Sequence, residues 1–190
     1  MDESFLRGLL TKHSNGLLVL HGPARMERAQ LNAEQVHAGI EIIRSHFDHI
    51  VLDLRHDLDP ATIVGLEASD TIVFLTSLTV SALRSGAAAL AAFRHLGADL
   101  QKVKVVMMRE GTGEDVTLKH ARETLGLPVY WKTPSDYQAV VSSINSGRPV
   151  VTGSPRSKIA KNLRQLADIL IAGSGTSAQT PAKRAASLLG

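Results

Sequence analysis

Five short apolar runs, separated by stretches with helical spacing, constrain this chain more than any other feature. Leu17–Leu20, Ile50–Leu54, Thr71–Thr76 and Val103–Met108 read as buried strands, with Val129–Trp131 a shorter fifth. Apart from Asp53 and Lys104, these runs do not alternate with polar residues. Uninterrupted apolar runs belong to strands covered on both faces, which is the habit of parallel sheets.

The intervening stretches carry the covering helices. Val36, Ile40, Ile43 and Phe47 recur at one-turn spacing, as do Val80, Leu83, Ala87 and Leu90 behind a Thr79 N-cap. Ile159, Leu163, Leu166 and Leu170 mark a third helix, preceded by Pro155. A shorter helix is expected over Pro60–Ala68, with proline in its first turn. Another is expected over Glu114–Leu125, stopped by Gly126 and Pro128. Asn145 to Pro149 has the form of a helix end with a left-handed glycine, a structural feature and not a chemical one. Strands alternating with helices predict an α/β fold, a mostly parallel sheet wrapped by helices. One such domain is expected over residues 1–171. The stretch 172–190, poor in apolar residues, is expected to be a flexible tail.

Composition narrows the function. The formal charge of +3 and scattered Lys and Arg argue against a dedicated, sequence-specific nucleic-acid groove. With no cysteine, disulfide scaffolds and thiolate metal sites are excluded. The sequence has no apolar stretch of bilayer-spanning length and no secretory signal pattern, so a cytoplasmic setting is expected.

Several residues are candidates for chemistry. Asp53 ends an apolar run, and an acid at the carboxyl end of a parallel strand lies where open α/β sheets bind ligands. Equally, it would cap the helix beginning near Pro60 or pair with Arg55. Arg55, His56, Asp57 and Asp59 form a polar loop, and a His among acids suggests proton transfer or metal binding. Without further ligands at fixed spacing, a solvated loop is the better reading. The other histidines are scattered, and no serine lies in a GxSxG elbow. Arg109, Pro134 and Asp136 fall after neighbouring strands, at one edge of the sheet, where a purine would fit between the arginine and the backbone around the proline. On spacing alone, the plainer alternative is favoured: Asp136 or Ser135 caps the helix carrying Val140 and Ile144, and Arg109 is solvated.

The sequence has fifteen glycines but no GxxxxGK[ST] loop, the element whose backbone N–H groups, Lys and hydroxyl hold nucleotide phosphates and magnesium. That absence matters because of a resemblance. The segments FDHIVLDLRHDLDPAT, TPSDYQAVVSSINSGRPV and PRSKIAKNLRQLADIL resemble the MinD/ParA group of P-loop ATPases. The similarity is closer to pilus-assembly proteins of the TadZ/CpaE kind, and DESFLRGLLTKHSNGLLVLHGP resembles the part that follows their phosphate-binding loops. It extends to about Leu170, and the order and spacing of the segments are more specific than any one of them.

The resemblance implies a P-loop NTPase fold shortened at its N-terminus, with ATP and magnesium as the family's ligands. By it, Asp53 matches the Walker B aspartate near magnesium. Arg109 matches the arginine of an Asn-Arg pair, and Pro134 and Asp136 match the loop that holds adenine. Three departures qualify this. The deviant Walker A loop and the aspartate motif after it have no counterpart; Met108 stands where relatives carry the adenine-binding Asn; and Leu54-Arg55-His56 replaces a proline-containing switch.

The expectation is therefore a non-catalytic localisation or scaffold protein of Tad/Flp pilus assembly, with no cofactor of its own and self-association through unpaired strand edges. Its partners would be pilus or secretion machinery proteins, with weak peripheral contact at the inner membrane or cell pole. The rival expectations are the C-terminal part of an active ATPase of pilus assembly, or of partition or flagellar placement.

Overall fold

The computed structural model describes residues 8–22, 32–110 and 116–174. The chain divides into two compact units, Met1–Ser69 and Asp70–Gly190.

In the first unit, strands β1 (Thr11–Lys12) and β2 (Leu18–Val19) form an antiparallel hairpin. Gly16, at φ 95, turns the chain between them, and its N–H donates to the His13 carbonyl. The run Leu17–Leu20 is thus half of a short hairpin and not a parallel strand, and Leu17 and Leu20 are exposed. Helix α1 (Ala33–Arg44) opens on a reciprocal cap between Asn32 and Gln35. It buries Ile40 and ends before Phe47, the last position of the expected stripe. Helix α2 (Pro60–Ala68) begins at Asp59, whose carboxylate accepts from the Thr62 N–H at 2.7 Å. Arg44 donates to the Ala68 carbonyl at the far end of α2.

The expected strand at Ile50–Leu54 is corrected. The segment joins no ladder among the described residues, and Val51 is 94% exposed. Its burial alternates: Leu52 and Leu54 rest on Gly65 of α2, while Val51, Asp53 and Arg55 face outward. An apolar run becomes a strand only when a neighbour takes up its backbone groups, and helix α2 covers one face without supplying a ladder.

The second unit holds the sheet. Strands β3 (Ile72–Ser77), β4 (Val103–Glu110) and β5 (Val129–Pro134) are parallel, in the order β3-β4-β5. Helix α3 (Val80–His95), capped by the Thr79 hydroxyl, connects β3 to β4 through a 3₁₀ turn at Leu100–Lys102. Helix α4 (Leu118–Leu125) leads into β5. It starts later than the spacing suggested because Thr117 accepts from the His120 N–H and sets the first turn there; Glu114 lies outside the described residues. Helices α5 (Tyr137–Ser146), α6 (Val150–Gly153) and α7 (Lys158–Ser174) complete the unit. Gly126 and Gly147 adopt the left-handed conformation at the ends of α4 and α5.

Central strand β4 carries the core: Val105, Val106 and Met107 are buried. Phe74 meets Phe93 of α3 edge to face, with ring centroids 6.3 Å apart, and Val105 pairs beside it in the ladder. A Cβ on Gly86 would lie 3.0 Å from Leu125 and 3.3 Å from the Phe74 ring, so the missing side chain lets α3 close on α4 and the sheet. Val106 and its ladder partner Trp131 occupy the opposite face, where Trp131 meets α7. Helices thus cover both faces at β4, as its continuous apolar run required, whereas Val73 and Leu75 of β3 are 40% and 58% exposed, so the run at Thr71–Thr76 is not the doubly buried strand expected. Of the expected tail, 172–174 continue α7 and 175–190 lie outside the described residues.

Candidate functional site

The sheet's most unusual backbone lies at the carboxyl end of β4. Met107 pairs with Lys132 and Glu110 with Pro134, so Met108 and Arg109 together oppose Thr133 alone, a β-bulge. Arg109 has φ 60, and among the described residues it is the one non-glycine with positive φ. That conformation costs an L-residue about 1–2 kcal/mol. The Arg109 N–H donates to Thr133 Oγ1 at 3.2 Å, which anchors the bulge. Thr133 is 1% exposed, and its hydroxyl donates to the Met107 carbonyl at 3.3 Å, with Met108 Sδ 3.6 Å away as the other acceptor.

Two of the expected site residues therefore sit together. Arg109, with an exposed side chain, and half-buried Pro134 flank one bulge at the carboxyl edge of β4 and β5. Thr133 organises them, and its importance was missed because Thr133 to Asp136 read as a loop. The available signal was a β-branched residue continuing the Val129–Trp131 run.

Asp136 stands at the N-cap of α5 but does not make the helix-capping bond that its position suggested. Its Oδ2 lies 3.5 Å from the Ile159 N–H in the first turn of α7, a long contact that favours tying α5 to α7.

Asp53 belongs to the first unit. It is exposed and outside any strand, which corrects its expected place at a buried strand end. Both of its plainer roles fall to neighbours. Asp59 caps α2, and the Thr62 backbone N–H holds its carboxyl below the usual carboxylate range. Arg55 pairs with Asp57 at 2.7 Å. Asp57 Oδ1 is buried and has no hydrogen-bond partner among the described residues.

ATP and magnesium, the ligands that the resemblance implies, would need a phosphate cradle, metal-side carboxylates and a base contact. Asp53 offers one exposed carboxylate, Asp59 is committed to a helix cap, and no group of three metal-ligating side chains occurs among the described residues. No glycine-rich loop ending in Lys and Ser or Thr is present in the sequence to hold phosphates. The residue next to Arg109 is Met108, whose thioether would offer a purine only a weak acceptor. The residues present do not fit a magnesium nucleotide.

No protein-family model matches the sequence, and no curated protein matches it. Solved structures do. A ParA family ATPase from Chlorobium tepidum TLS superposes with a TM-score of 0.80 at 24% identity, over 85% of this chain and 67% of that one. The septum site-determining protein MinD from Pyrococcus horikoshii OT3, complexed with Mg-ADP, gives 0.73 at 17% identity, over 92% and 72%. MinD from Aquifex aeolicus gives 0.70 at 17% identity, over 86% and 68%. The chain has the MinD/ParA-like α/β fold and spans about two thirds of the length of these neighbours.

Proposed function

We propose that this protein is a localisation or scaffold factor of Tad/Flp-type pilus assembly, built on a MinD/ParA ATPase fold and non-catalytic as this chain. One observation carries the reading. Arg109 and Pro134 flank one bulge at the carboxyl edge of the sheet, while the sequence has no loop for the phosphates. Support for the pilus assignment comes from the order and spacing of segments resembling TadZ/CpaE proteins. Asp53 would be the vestige of a magnesium-side acid, and Arg109, Pro134 and Asp136 of an adenine loop. The partners would be pilus or secretion machinery and a second copy of the chain, at the inner membrane or pole.

ATP affinity in such folds comes largely from backbone N–H groups and a Lys converging on phosphates. Each charge-assisted hydrogen bond contributes about 1.5–3 kcal/mol, so losing that cradle removes useful affinity. Calorimetry with Mg-ATP on the chain and on Asp53→Ala tests this, with two flat titrations expected. Submicromolar binding abolished in the variant would reject the scaffold reading and favour the second one, the C-terminal part of an active ATPase. The juxtaposition of Arg109 and Pro134 supports that second reading, and an in-frame P-loop coded upstream would decide for it.

A further inference from the structure

Among the described residues, strand β5 is the outer strand of its sheet, and a groove of about 740 Å³ runs beside it. Successive β5 residues, including Tyr130, Trp131 and Lys132, line this groove. Leu118 of α4 also borders it, and α4 and α7 lie on opposite faces of the sheet, so the cavity follows the strand's edge. Helix α7 forms the opposite wall through Lys158, Lys161, Asn162 and Gln165, one stripe at helical spacing. No carboxylate lines the groove, and among the described residues neither Lys158 nor Lys161 has an ion-pair partner. Lys104 lies over the Tyr130 ring, 5.4 Å from its centre, adding a further cation near the same edge.

The floor is held in place. Trp131 Nε1 donates to Asn162 Oδ1 at 3.0 Å, and Asn162 Nδ2 donates to the Lys132 carbonyl at 3.0 Å. The second bond occupies the Lys132 carbonyl on the α7 side, so an incoming ligand meets the side chains of the groove here and reaches this backbone group only by displacing Asn162. The groove therefore combines a strand edge, an aromatic floor and a cationic wall.

We infer that this groove binds an acidic, extended segment of a partner protein, laid along β5 with its carboxylates toward Lys158 and Lys161. Strand edges recognise extended peptides through the backbone, and the side-chain wall selects their charge. Complementarity fixes the sign of the partner. A peptide fits better than a nucleic acid because the cations are confined to one short groove and the whole chain carries only +3. This inference stands apart from nucleotide binding and from the pilus assignment.

Trp131 is the sole tryptophan of the chain, so its emission reports on the groove directly. A capped peptide of alternating Glu and Val is titrated into the full chain, with its Lys/Val counterpart and a mixed-sequence DNA duplex as comparisons. The Glu/Val peptide is expected to shift Trp131 emission saturably, and the Lys/Val peptide to leave it unchanged. Joint Lys158→Glu and Lys161→Glu substitution should weaken binding about tenfold or more. Should that variant lose its circular dichroism, the Lys→Gln pair replaces it, and the two peptides still decide the matter on the native chain. Absence of a saturable Glu/Val response, an equal Lys/Val response, or insensitivity to the lysine changes would overturn the proposal. Displacement of the peptide by the duplex at equal or lower concentration would also overturn it, in favour of a phosphate-binding edge.

Discussion

The backbone N–H of Arg109 donates to the hydroxyl of Thr133 at 3.2 Å, joining a residue in the left-handed conformation to a buried one on the adjacent strand. That bond is what a β-bulge needs, because the extra residue has no ladder partner of its own. Thr133→Val keeps the shape but leaves the Arg109 N–H without its acceptor. It should lower stability by about 1–3 kcal/mol in urea denaturation, whereas Thr133→Ser, which retains the hydroxyl, should cost less.

Positive φ at Arg109 predicts a second contrast. Arg109→Gly removes the Cβ penalty of about 1–2 kcal/mol while adding flexibility to the unfolded chain, so stability should stay within about 1 kcal/mol of the parent. Arg109→Val places a β-branched residue in the same backbone and should be clearly less stable than the glycine variant. Equal midpoints for the two variants would show that the bulge relaxes.

Two helical glycines should respond oppositely to the same change. Nothing lies within 4 Å of a Cβ at Gly39 in α1, so Gly39→Ala should gain about 0.5–1 kcal/mol from helix propensity. At Gly86 the methyl would meet buried Leu125 and the Phe74 ring, and overpacking of about 1–3 kcal/mol should outweigh that gain. Thermal melting of the two single variants gives the comparison.

Asp59 predicts a pH dependence with a definite sign. Its carboxyl is held below its unfolded value by the Thr62 N–H, so its contribution is present at neutral pH and is lost as pH falls through the acid range. Asp59→Asn retains an acceptor that does not ionise. Its denaturation midpoint should fall less steeply than the parent's on acidification, and parallel curves would remove Asp59 as a source of acid sensitivity.

Much of the second unit was legible residue by residue. The apolar runs at Thr71 and Val103 became β3 and β4, Thr79 caps α3, and Gly126 and Gly147 end helices as their positions suggested. These features depend on local chemistry. What failed depended on neighbours far away in the chain. Ile50–Leu54 has strand composition, but a strand also needs another strand alongside, and nothing within the run reveals whether one is there. Asp136 has the composition of a helix cap, yet its carboxylate reaches toward the Ile159 N–H in α7, whose approach no local pattern encodes. The bulge at Arg109 was hidden for a different reason, because arginine carries no preference for positive φ.

The β4–β5 ladder contains a second slip, and the two have opposite sense. Val105 pairs with Val129 and Val106 with Trp131, so β5 has one extra residue at Tyr130 before β4 takes its own at the Arg109 bulge. The strands thus run out of phase and return to phase within a few rungs, and Trp131 lies inside the shifted window. The first slip is what gives the indole, and not the Tyr130 phenol, the place beside Val106 on the α7 side. Deleting Tyr130 alone or Arg109 alone would leave the strands offset to their ends. Deleting both would restore a regular ladder, so the double deletion should be better tolerated than either single one. The sheet behaves as a paired lengthening, in which two irregular residues are structurally one feature.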